Sequence, residues 1–205
     1  EPGILVLATQ PEKAAFKAGL EAGDKILKID ENVLGVAEQA MIGIASGLAL
    51  KGMRPFCYTI ATFSVFRPYE FIRVDVCYQN LPVTIIGMGA GVIYSTLGST
   101  HHTMEDVTLM KALPNMTVIA PCDPVEMKLA TQWAANRKTG PVYMRLGKVG
   151  EPNLTKDAPE SFKIGKIRQV KKGKEVCIIS YGTILKKAFV LTFKIVSKDV
   201  FFTFK

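Results

Sequence analysis

The sequence predicts an α/β fold, a parallel sheet with helices on both faces. Three observations carry that expectation. From residue 36 onward, apolar runs of strand length alternate with segments of helical period. Several helical segments open on cap chemistry or close on glycine. Strand segments such as "LPVTIIGMG" are apolar throughout, as strands covered on both faces are.

Taken in order, residues 3–31 read as an irregular strand, short helix and turn into a second strand. Residues 37–51 repeat small and apolar side chains at helical spacing, and Lys51-Gly52 ends them as a C-cap. "RPFCYTIATF" is a strand and "PYEFIRVDVCYQN" an amphipathic helix, after which "LPVTIIGMG" is a buried strand running into glycines. "TMEDVTLMKAL" opens a helix after a threonine, with Glu105 and Asp106 in its first turn. "MTVIAP" is a strand, and "DPVEMKLATQWAANRK" a helix with Asp123 as N-cap and Pro124 at its first position. "GPVYMRL" is the strand after it. Residues 151–174 read as a linker, with room for one strand, and "EVCIISYGT" begins a second α/β unit. The final "AFVLTFKIVSKDVFFTFK" has the composition of one or two strands and carries no functional signal.

Bulk properties bound the function. A chain of 205 residues with 48% hydrophobic and 21% charged side chains is globular and long enough to bury a core. No apolar run approaches bilayer length and the N-terminus lacks a signal-peptide layout, so a cytoplasmic protein without a membrane partner is expected. Cys57, Cys77, Cys122 and Cys177 form no CxxC pair and read as reduced core thiols. The net charge of +8 is uneven: residues 1–150 hold 14 Lys/Arg against 13 Asp/Glu, and residues 151–205 hold 12 against 5. Pieces such as "KIGKIRQVKKGK" alternate lysine with apolar residues, as a solvated strand face does, and no nucleic-acid motif accompanies them.

The segments "GVAEQAMIGIASGLALKGMRPF", "TFSVFRPY", "GSTHHTMEDVTLMKALPNMTVIAPCDPVE" and "TGPVYMRLG" stand in one order between residues 34 and 148. Together they resemble the pyrimidine-binding domain of the transketolase family of thiamine-diphosphate enzymes. The resemblance implies the thiamine-diphosphate-binding fold, in its pyrimidine half, over residues 34–150. Residues 175–205 would then be a partial C-terminal domain of the same family.

What the resemblance implies at individual residues can be stated chemically. Glu38, set among Val36, Ala37, Ala40, Met41 and Ile42, matches the family glutamate that hydrogen-bonds the cofactor's pyrimidine nitrogen. An apolar site suits a carboxyl group that must share a proton. Taken alone, a glutamate there could equally answer the helix dipole. Phe63, Phe66 and Tyr69 lie three apart, which clusters them on one side of a turn-to-helix segment; by resemblance they line the pyrimidine pocket, although such a triplet also suits an ordinary core. His101 falls on the family histidine that contacts substrate and moves protons at the sugar. His102 replaces a glutamine and is kept as a neighbour of the site. Arg145 aligns with an arginine that holds the sugar phosphate, a task suited to a bidentate guanidinium, although a surface arginine after a strand is also ordinary. Two adjacent histidines without further ligands make no metal site, and none is assigned.

Departures matter as much. "GMGAGVIYSTLGST" stands where transketolases of phosphorylated sugars carry a segment of the "HDSIGLGEDGPT" type, which leaves donor and acceptor open. The GDG…N motif for diphosphate and Mg²⁺ is missing, since "GDK" at residues 23–25 has neither partner. The expectation is therefore a transferase that moves a two-carbon ketol unit between sugars only with a partner domain or subunit. That partner would hold Mg²⁺ and share the thiamine diphosphate, in a homo- or hetero-oligomer. Deoxyxylulose-phosphate synthase or a 2-oxoacid dehydrogenase β subunit is the alternative branch. A third alternative is a non-catalytic interaction module, because "KAGLEAGDKILKID" resembles a fragment of a PDZ domain and sets residues 1–33 apart.

Overall fold

The structure, a computed structural model, describes residues 6–8, 37–155, 162–172, 176–195 and 200–203. Apart from the strand Val6–Ala8, the PDZ-like reading falls on residues outside this set. The chain divides into two compact units, residues 1–119 with 132–148, and residues 120–131 with 149–205.

The first unit is built on a five-stranded, all-parallel sheet. Its strands are β1 (Val6–Ala8), β2 (Phe56–Ile60), β3 (Thr84–Met88), β4 (Thr117–Ile119) and β5 (Val142–Arg145), in the order β1-β2-β3-β5-β4. Register pairs Cys57 with Ile85, Ile85 with Tyr143, and Tyr143 with Val118, so these four form one row across the sheet. Helix α1 (Glu38–Leu50) packs on that row, burying Met41, Ile42, Ala45 and Ala49 at helical spacing. It ends at Lys51, and Gly52 follows with φ +89°, the left-handed stop that the sequence predicts.

After β2 the chain turns at once into α2 (Ala61–Val65), whose C-cap Phe66 keeps helical backbone angles, passes through a turn at Pro68, and resumes as the turn α3 (Tyr69–Phe71). The continuation, Ile72–Tyr78, is π-helical rather than α-helical and keeps Ile72, Val76 and Cys77 in the core. Helix α4 (Asp106–Ala112) adds Met110, and Leu113 follows it into the same cluster. Thr103 does not cap α4. It forms an isolated antiparallel bridge with Gly91 that closes the long loop after β3, and Glu105 takes the N-cap position without a side-chain capping bond.

Helix α5 (Pro124–Ala135), which starts in the second unit, opens as its sequence predicts, with Asp123 Oδ1 accepting from Glu126 N at 2.8 Å. The Glu126 carboxylate reaches back to Cys122 N at 3.0 Å and pairs with Arg168 at 3.2 Å. Asp123 Oδ2 also accepts from Leu154 N, Thr155 N and Thr155 Oγ1, so the stretch read as a linker contributes buried, bonded residues. β6 (Val176–Ile179), α6 (Leu185–Ile195) and β7 (Val200–Thr203) form a βαβ unit with parallel strands. The first half of the terminal stretch is thus helix. Leu185, Ala188 and Phe189 follow the i, i+3, i+4 pattern into a small core with Cys122, Leu154, Val170 and Ile178.

Candidate functional site

All but one of the predicted site residues lie in segments that leave the carboxyl ends of parallel strands, where α/β sheets place ligands. α2 follows β2, the loop bearing His101 follows β3, and Arg145 ends β5. Glu38, the exception, is the first residue of α1. It is 7% exposed, and its carboxylate is engaged by a side chain rather than by the helix terminus alone. Arg67 Nη1 donates to both Glu38 oxygens at 3.1 Å, while the Arg67 guanidinium lies 4.0 Å from the centre of the Phe63 ring.

Phe63 in turn meets the edge of His101, with ring centres 5.2 Å apart, and Tyr94 approaches the same imidazole at 6.3 Å. His101 Nδ1 lies 2.9 Å from Thr100 Oγ1. Glu38, Arg67, Phe63, His101 and Tyr94 therefore form one contiguous series of contacts. Its loop is tied down by the Thr62 hydroxyl, which donates to the His102 carbonyl and accepts from the Thr103 hydroxyl. His102 presents a buried Nε2 without a hydrogen-bond partner among the described residues.

Phe66 and Tyr69 have other surroundings. Phe63 lies in α2, Phe66 is its C-cap and Tyr69 opens α3 beyond the turn. Phe66 is 38% exposed. Tyr69 packs against the core and donates its hydroxyl to Leu109 O at 2.9 Å.

Arg145 is already committed on its inner side. Its Nε pairs with Asp106 Oδ2 at 2.8 Å, and its Nη2 reaches Thr103 O at 3.4 Å. The Tyr143 hydroxyl donates to the same Asp106 oxygen at 2.8 Å. Burial, then the Asp106 charge, pushes the Tyr143 phenol well above its usual range, so it remains a donor. No local pattern announces this cluster: Asp106 reads as a helix-dipole acid and Tyr143 as a strand filler. Arg67 is equally hidden, since a turn arginine before proline has no distinctive pattern.

Among the described residues, no group of three or more His, Cys, Asp or Glu could hold a metal ion, and no helix is long and apolar enough to cross a membrane.

Comparison with known proteins gives the site its context. The family described as "Transketolase, pyrimidine binding domain" matches residues 28–150, starting inside the stretch that the sequence sets apart as an N-terminal segment. One of the subunits of an apulose-4-phosphate transketolase, from Actinobacillus succinogenes, is 34% identical over 82% of this chain and 53% of its own length. A 1-deoxy-D-xylulose-5-phosphate synthase from Trichormus variabilis is 38% identical over 89% of this chain and 30% of its own. The chain thus spans about half, or less, of the length of these curated relatives. A solved structure described as "Split gene transketolase, inactive beta4 tetramer" superposes with TM-score 0.73 at 32% identity, over 98% of this chain and 64% of the other.

Proposed function

Because the chain belongs to the transketolase family through its pyrimidine-binding domain, we propose that it supplies the pyrimidine half of a thiamine-diphosphate enzyme that moves a two-carbon ketol unit between sugars. The observation that carries this reading is the buried Glu38 carboxylate, linked through Arg67 to the Phe63 ring and through that ring to His101. The residues fit the group. The planar guanidinium of Arg67 stacks on Phe63 and donates to Glu38, the two contacts a flat aminopyrimidine would need.

When bound, thiamine diphosphate supplies the electron-sink chemistry that carries the two-carbon unit. Glu38 would hold a proton at the pyrimidine ring nitrogen, and Phe63 would provide the stacking face. His101, oriented by Thr100, contacts the substrate and relays protons at its hydroxyl and carbonyl oxygens. Arg145, braced by Asp106, offers its remaining donors to a sugar phosphate.

The diphosphate and Mg²⁺ belong on a partner domain or subunit in the cytoplasm. Support comes from the missing GDG…N motif, from a relative whose name makes it one part of a multi-chain transketolase, and from the split-gene structure whose β4 form is described as inactive. The similarity to deoxyxylulose-phosphate synthases favours, as second reading, that branch of the family. It keeps the glutamate and differs in the acceptor.

Calorimetry with thiamine diphosphate and Mg²⁺, with and without the diphosphate-binding partner, tests the proposal. Tight binding is expected only with the partner, and Glu38→Gln should lower partner-dependent turnover about 10²- to 10⁴-fold. Unchanged turnover in Glu38→Gln would sink the assignment.

A further inference from the structure

We infer that Arg67 is a built-in occupant of the pyrimidine slot, which the cofactor must displace to reach Glu38. The inference rests on the pyrimidine-site reading above. It begins from a mismatch between the two partners. The Glu38 side chain is 10% exposed and the Arg67 side chain 53%. The acid is fixed at the start of α1, whereas the arginine sits in the turn between α2 and α3 with a long unbranched stem.

The contact itself is of a kind that lets go. One nitrogen, Nη1, is shared between both carboxylate oxygens at 3.1 Å, in place of the two parallel bonds of a fork-to-fork pair. Nε and Nη2 have no hydrogen-bond partner among the described residues. A half-exposed cation also recovers most of its hydration on leaving. Yet the guanidinium covers both features a pyrimidine would use, the Phe63 face at 4.0 Å and the Glu38 oxygens. Without some donor there, a nearly buried carboxylate would be left unpaired. Arg67 supplies that donor and would compete with an arriving cofactor.

The test titrates the full 205-residue chain with thiamine and with 4-amino-5-hydroxymethyl-2-methylpyrimidine, followed by NMR shift changes. These probes carry the pyrimidine and lack the diphosphate, so binding reads the slot alone. Arg67→Met should tighten pyrimidine binding about five- to tenfold over wild type, and adding Glu38→Gln should abolish the gain. Arg67→Gln, which keeps a polar end but no cation, should shift in the same direction and serves if Arg67→Met does not fold. Equal or weaker binding by the Arg67 variants overturns the occupant role, as does no binding by them up to concentrations on the order of 10 mM. In the first case, if Glu38→Gln alone still weakens wild-type binding, the pyrimidine-site reading survives while the Arg67 inference fails. A gain that persists in the double variant places the probe away from Glu38 and overturns both.

Discussion

Asp106 is the residue on which the end of β5 depends. It is fully buried, and one carboxylate oxygen accepts from both Arg145 Nε and Tyr143 Oη at 2.8 Å. Removing the acid strands a guanidinium that is only 20% exposed. Asp106→Ala should therefore cost about 3–5 kcal/mol in urea unfolding. Tyr143→Phe removes one hydrogen bond to a charged acceptor and should cost about 1.5–3 kcal/mol. The buried thiols give a second expectation at this scale. Burial pushes Cys57 and Cys77 from 9.0 up to about 12. Their folded-state pKa is raised, so the protons they retain stabilise the fold fully below pH 9 and lose that effect as pH rises towards 12. The slope is about 1.4 kcal/mol per pH unit for each thiol. Unfolding measured across that window should show the fall, and Cys57→Ala should flatten it. At neutral pH a thiol reagent should modify exposed Cys177 quickly and the three buried cysteines slowly.

Among elements, the approach of β3 to β5 is the tightest constraint. A Cβ on Gly87 would lie 2.4 Å from Tyr143 Oη, so Gly87→Ala must push that hydroxyl off Asp106. A loss of about 1–3 kcal/mol is expected, and it should shrink in a Tyr143→Phe background, where a double-mutant cycle reads the coupling. Gly89, at φ +68°, would meet the Tyr94 ring at 2.0 Å, which ties the start of the loop to the ring beside His101. These elements differ in how legible they are from sequence. Strands β2 to β5, α1 and the cap at Asp123 are readable because apolar period and cap chemistry are local signals. The π-helical register of Ile72–Tyr78 is not, since one inserted residue per turn leaves the amphipathic pattern nearly intact. Helix α6 is masked by aromatic and β-branched residues that favour strands, although Leu185, Ala188 and Phe189 keep a helical spacing. At the candidate site, the motifs single out Glu38 and His101, which the structure joins through Arg67 and Phe63, whereas Arg67 and Asp106 acquire their contacts only from partners 29 and 39 positions away.

For the whole molecule, the proposed division of the cofactor makes binding a property of an assembly. On the reading proposed above, the pyrimidine contacts come from Glu38 and Phe63 and the diphosphate contacts from the partner. Ligand stabilisation follows RT ln(1 + [L]/Kd), so a ligand that touches only the partner's half cannot stabilise this chain by itself. Pyrophosphate with Mg²⁺ should therefore leave the melting temperature of the isolated chain unchanged. With the partner present, thiamine diphosphate and Mg²⁺ should raise it, and more so at higher partner concentration, because the cofactor bridges the two. Raised salt should weaken that gain only modestly if stacking on Phe63 and the shielded Glu38 contact carry this chain's share, since buried pairs are screened far less than exposed ones. A melting temperature that climbs with pyrophosphate and Mg²⁺ on the isolated chain would place a diphosphate site within it. The division of the cofactor would then be wrong even if Glu38 keeps its role.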